Sequence, residues 1–155
     1  MRVDKKTMVT ERPLVVFLLD DQHYALTLDR VQRAIRVVAI TPLPKAPPSL
    51  LGLIDLSGVA IPVVNARSRL NHSPRAVRLS DQLLIVKAGQ QQVALLVDET
   101  LGVVETVRED QVPADTILAK LDLVVGTAKH PDGLILIINL DRLLDFDAVG
   151  IKCGL

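Results

Sequence analysis

A faint internal duplication constrains this chain more than any other feature. Sliding "VFLLDDQHYALTLDRV" forward by 69 positions lays it on "IVKAGQQQVALLVDETL". Val16 then falls on Ile85, Phe17 on Val86, Tyr24 on Val93, Ala25 on Ala94, Leu26 on Leu95, Asp29 on Asp98 and Pro44 on Pro113. A shift of about 74 lays "LLGLIDLSGVAIPVVNAR" on "VVGTAKHPDGLILIINLD", where Gly52 meets Gly126 and Asn65 meets Asn139. A repeat of this length is a structural unit, so it has to be recognised before single elements are assigned.

Both copies have the same grammar. A strand, a polar turn ("DDQ" or "AGQQ") and a second apolar strand make a hairpin. A β-rich stretch ending at proline follows, then a Gly-marked hairpin with its turn at "DLSG" or "HPDG". Last comes an Asn before a short helical turn, Asn65 or Asn139, in the position of an N-cap. Gly52 and Gly58 read as turn residues, because glycine tolerates positive φ. Short Val/Ile-rich strands punctuated by Gly and Pro predict an all-β fold of two small barrels with short helical turns. A copy of about 60 residues buries too little surface to stand alone, so the barrels are expected to share one hydrophobic core. The organisation expected is a flexible lead at 1–13, one domain at 14–148 with repeats at roughly 15–70 and 84–144, and a tail at 149–155.

The proline cluster Pro42, Pro44, Pro47 and Pro48 contains a P-x-x-P pattern, the signature of ligands for aromatic-lined modules. Pro113 holds the matching place in the second copy without that motif, so the stretch reads as a stiff crossover between strands.

Composition closes off several functions. Phe17, Tyr24 and Phe146 are the only aromatics, leaving no stacking platform for single-stranded nucleic acid. Eighteen basic and eighteen acidic residues give a formal net charge of zero, without the basic footprint of a nucleic-acid binder. Cys153 has no second cysteine to pair with, which fits a reducing compartment. The first dozen residues lack an apolar signal core, and no apolar run of membrane-spanning length appears. A cytoplasmic protein without membrane insertion is expected. His23, His72 and His130 lack partners at metal-ligand spacing, so no metal is expected. No phosphate-binding glycine loop or nucleophile motif is present, so the chain reads as neither an enzyme nor a cofactor binder. Asp20-Asp21 after "VVFLL" matches the acidic pair of phosphoacceptor receiver domains, although a polar hairpin turn explains it more simply.

From Val15 to Leu144 the chain resembles the CheW-type domain, the coupling module of bacterial chemosensory arrays. The resemblance is carried by "VVFLLDDQHYALTLDRVQRAIR", "ITPLPKAPPSLLGLIDLSGVAIPVVNAR" and "GLILIINLDRLL", in that order. It implies two five-stranded, SH3-like barrels and a non-catalytic adaptor. Its partners would be the cytoplasmic tip of a chemoreceptor and the regulatory domain of a CheA-type histidine kinase. Departures from the family pattern fall at Arg33, where Glu is usual, at Ser57, where Arg is usual, and at Asn65, where Asp is usual; Arg67 is retained. The resemblance makes Val31, Arg33, Ile35, Ser57 and Arg67 the candidate partner-facing groove. Arg33 and Ser57 together read as a compensated charge swap, as a lost receptor contact, or as solvated positions. Two alternatives stay open: a receiver built on Asp20 and Asp21, and an array ring component that binds kinase but not receptor.

Overall fold

A computed structural model describes residues 12–106, 111–113, 123–131 and 133–145. Most of the expected lead, the tail with Cys153, and Phe146 lie outside the described residues. The first copy supplies β1 (Arg12–Leu19), β2 (Gln22–Thr27), a 3-10 turn (Leu28–Arg30), β3 (Val31–Arg36), β4 (Leu50–Leu56), β5 (Val59–Asn65) and helix α1 (Ala66–Arg69). The second supplies β6 (Gln82–Ala88), β7 (Gln91–Val97), β8 (Glu99–Thr106), β9 (Gln111–Pro113), β10 (Val124–His130), β11 (Gly133–Ile138) and helix α2 (Leu140–Leu143). β1 thus begins within the stretch expected as lead.

Two sheets result. Sheet A runs β8-β1-β2-β11-β10-β9 and sheet B runs β3-β6-β7-β5-β4. Both are five-stranded apart from the three-residue β9, which agrees with the all-β expectation. The assignment of one copy to one barrel is not what the chain does. Sheet A combines the first copy's opening hairpin with the second copy's later strands, and sheet B makes the reverse exchange.

The registers show that the duplication is real. Val16 pairs with Ala25 and, 69 positions on, Ile85 pairs with Ala94. Gly52 pairs with Val63 and, 74 positions on, Gly126 pairs with Ile137. The parallel crossings also correspond, Val63 with Ala94 and Ile137 with Ala25. Even the bulges recur: one lies between Val31 and Arg33 in β3, and β8 skips Leu101 at the equivalent place.

This exchange explains the continuous apolar runs, which are strands buried on both faces. Along β1, Val15, Phe17 and Leu19 enter a central cluster between the sheets, whereas Leu14 and Val16 enter the interior of sheet A. Along β6, Leu84 and Val86 face the central cluster, while Leu83 and Ile85 face the interior of sheet B. The core shared by both copies is therefore a middle layer flanked by one smaller cluster on each side. A fully buried side chain such as Phe17 contributes roughly 2 kcal/mol there.

The proline crossover lies against sheet B. Thr41 and Leu53 exchange backbone hydrogen bonds of 2.8 and 2.9 Å. Gly52 has φ +147°, and a Cβ on it would sit 2.1 Å from the Thr41 carbonyl oxygen. Its role is this close backbone approach within a bulged strand, a correction to the expected turn. Ser57 (φ 54°) and Gly58 (φ 85°) form the two-residue β4–β5 turn, both left-handed as a type I′ turn requires. Asn65 caps α1 by accepting from the Arg67 amide at 3.1 Å, and Asn139 caps α2 by accepting from the Arg142 amide at 3.3 Å.

Candidate functional site

Three of the five expected groove residues share one strand. β3 is an edge of sheet B, paired with β6 on one side. Arg33 on it is exposed, while Val31 and Ile35 are half-buried, packing against the central cluster and the sheet B cluster respectively. Ser57 is exposed at the tip of the β4–β5 hairpin, with β6 and β7 between that hairpin and β3 in the sheet order.

Arg67 does not belong with them. It is 4% exposed, and both terminal nitrogens of its guanidinium are engaged inside the protein. Nη2 donates to Asp20 at 2.6 Å and to Asp98 at 2.9 Å, and Nη1 donates to the Ser73 carbonyl at 2.8 Å. An arginine is buried when carboxylates and carbonyls fill its fork of donors. Arg67 is a structural clamp, and its assignment to a partner-facing groove is corrected.

The clamp is one link in a chain of charges that sequence reasoning missed. Arg75 donates to Asp98 at 2.6 Å and grips Asp81 through both terminal nitrogens, at 2.8 and 3.0 Å. His72 Nδ1 lies 2.9 Å from Asp20, and its Nε2 shares a 2.6 Å hydrogen bond with the Tyr24 hydroxyl. Asp20 sits in the β1–β2 turn of sheet A, Arg67 lies in α1 directly after β5 of sheet B, and Asp98 separates β7 from β8. The network therefore ties the two sheets together at one end. The Arg67 guanidinium, and after it His72, hold the Asp20 carboxyl far below the usual carboxylate range. Burial, aided by the Asp20 charge, pushes the Tyr24 hydroxyl up. The only signal in the sequence was the pair Asp20-Asp21, whose spacing to Arg67 and Asp98 depends on the strand exchange.

This geometry also removes the receiver alternative. Asp20 is committed to Arg67 and His72, and the described helices are single short turns rather than the layers that cover a parallel sheet. Among the described residues, no group of three or more His, Cys, Asp or Glu side chains is arranged to hold a metal ion. No described helix is long and apolar enough to cross a membrane.

Residues 13–148, spanning both sheets and the network, match the model of the CheW-like domain. The chain belongs to the CheW-like domain family. It is 28% identical over 136 residues to a chemotaxis protein CheW of Thermotoga maritima, covering 87% of this chain and 89% of that protein. A Bacillus subtilis chemotaxis protein CheW is 27% identical over 139 residues, with 88% of each chain covered. The crystal structure of the scaffolding protein TtCheW from Thermoanaerobacter tengcongensis superposes with a TM-score of 0.78 at 29% identity, covering 88% of this chain and 94% of that one. In this CheW-like domain the exposed β3 edge carries Arg33 beside the bulge.

Proposed function

We propose that this CheW-like domain is a non-catalytic chemotaxis adaptor that couples chemoreceptors to a CheA-type histidine kinase in the cytoplasm. The observation that carries this reading is the extent of the family match, which takes in both sheets and leaves neither copy outside it. The exposed β3 edge suits the role. An edge strand offers the backbone donors and acceptors of its open side to an incoming partner, and its side chains set the choice of partner. On β3 those side chains are Val31, Arg33 and Ile35; at the far hairpin it is Ser57. Arg33, exposed at the bulge, favours a partner that presents a carboxylate there.

Calorimetric titration against the regulatory domain of a CheA kinase and a receptor tip fragment from the same organism tests this. Saturable binding to both is the expected result. Binding to the kinase alone would make the protein an array component of another kind, and binding to neither would remove the adaptor reading.

A further inference from the structure

Beside the β3 edge lies a cleft of about 570 Å³ that the groove residues do not line. One wall is the segment 37–40 that leaves β3, and the other is 77–79 in the link between the two copies. The Val37 amide donates to the Asp81 carbonyl at 3.2 Å and holds the walls together. Val37 and Ile40 rest on the sheet B cluster, so one wall of the cleft is continuous with the core.

Its rim is aliphatic and open to water. Leu79 is 92% exposed, Val77 43% and Val38 42%. Three such side chains clustered around one concavity have the character of a docking patch rather than of scattered surface residues. The charged residues of the two wall segments have one sign. Within 36–40 and 77–80 the charged residues are Arg36 and Arg78, both exposed. Asp81, which follows, is 1% exposed and is engaged by Arg75 and the Arg78 amide, so its carboxylate does not offset the rim.

We propose that this cleft seats an amphipathic helix of a partner protein, with aliphatic residues facing Val38, Val77 and Leu79 and carboxylates facing Arg36 and Arg78. Anchors at i, i+3 or i+4, and i+7 suit a concave aliphatic floor between two walls. Among the described residues of this chain the α-helices are four residues long, so none of them is such a helix. Its acidic edge, β8, skips Leu101 in its pairing with β1, a bulge that bends the strand. The proposal adds partner chemistry at a surface separate from Val31, Arg33, Ile35 and Ser57. Its test uses neither kinase nor receptor, so it fails or succeeds independently of the adaptor reading.

The probe is an 18-residue synthetic helical peptide with Leu at the anchor spacing and flanking Glu, set against a counterpart with Lys in place of Glu. Methyl-detected NMR of the full chain should show the Glu peptide shifting Val38, Val77 and Leu79. Arg36→Glu with Arg78→Glu should weaken it by about tenfold or more, added salt should weaken it in the wild type, and the Lys peptide should bind far less. Leu79→Ser should also weaken binding, and an unchanged melting temperature would separate this loss from misfolding. Equal binding of both peptides, shifts confined to another surface, or no binding of the Glu peptide would overturn the proposal. So would concentration-dependent self-association in sedimentation that Leu79→Ser abolishes, since the occupant would then be a second copy.

Discussion

β3 and β8 hold equivalent places, each at the edge of its sheet, and each is bulged at the same point of the repeat. They present different chemistry. β3 exposes Arg33 and Arg36, with Val31 and Ile35 half-buried; β8 exposes Glu99, Leu101, Val103 and Glu105 in alternation. The pairings behind them, Ile35 with Leu83 and Val104 with Leu14, correspond residue for residue. The two copies agree in their interior pairings and differ in the side chains at their edges. Interior positions answer to strands of the other copy, whereas edge positions answer only to water and partners.

That contrast predicts a gradient of effects. Gly52→Ala drives a Cβ into the Thr41 carbonyl at a left-handed φ and should cost at least about 4 kcal/mol in urea unfolding. Gly58→Ala, where no atom lies within 4 Å, should cost only about 1 kcal/mol, from φ alone. A similar loss for both would mean that the crossover yields and the close approach is not a constraint. Arg67→Met leaves Asp20 and Asp98 without their shared donor and should cost about 3 kcal/mol by the same measurement. An undisturbed midpoint would return Arg67 to the surface set.

Acid sharpens the interior side of the comparison. Asp20 titrates far lower when folded than the ~3.9 of an unfolded aspartate. Its contribution is therefore complete above about pH 5 and fades as pH falls below about 4 toward its folded value. Stability measured at pH 7 and pH 3 should drop less steeply in Asp20→Asn than in the wild type. Equal slopes would locate the acid sensitivity elsewhere. At the edges, Arg33→Glu and Glu105→Lys should each move stability by less than about 0.5 kcal/mol. Arg33→Glu should change affinity for the kinase regulatory domain or the receptor tip, read by calorimetry, while the melting temperature stays put. A fall in both would mark Arg33 as part of the fold.

Much of this was legible in the residues because β pairing writes itself at period two. The offsets of 69 and 74, the capping Asn65 and Asn139, and the buried runs around Phe17 and Leu84 each carry a local signal. The exchange of hairpins between copies does not. β1–β2 emits the same alternation whether it pairs with β5 or with β11, so the repeat was visible and its wiring was not. Arg67 was misplaced for a related reason. An arginine after a strand has the composition of surface, and only the distant Asp20 and Asp98 make its burial affordable.

The exchange also sets the order in which the molecule can form. When the ribosome has released β1 and β2, their parallel neighbour β11, residues 133–138, is still more than a hundred residues away. Sheet B has all its strands once β7 ends at Val97, but the β1–β2 hairpin cannot settle into a finished sheet A until β11 has emerged, and the contacts that close it are long-range ones, which form slowly. The nascent chain thus carries the apolar β1–β2 hairpin without its β11 neighbour until late in its synthesis. Its two halves, expressed as separate polypeptides, would find their structure only in each other.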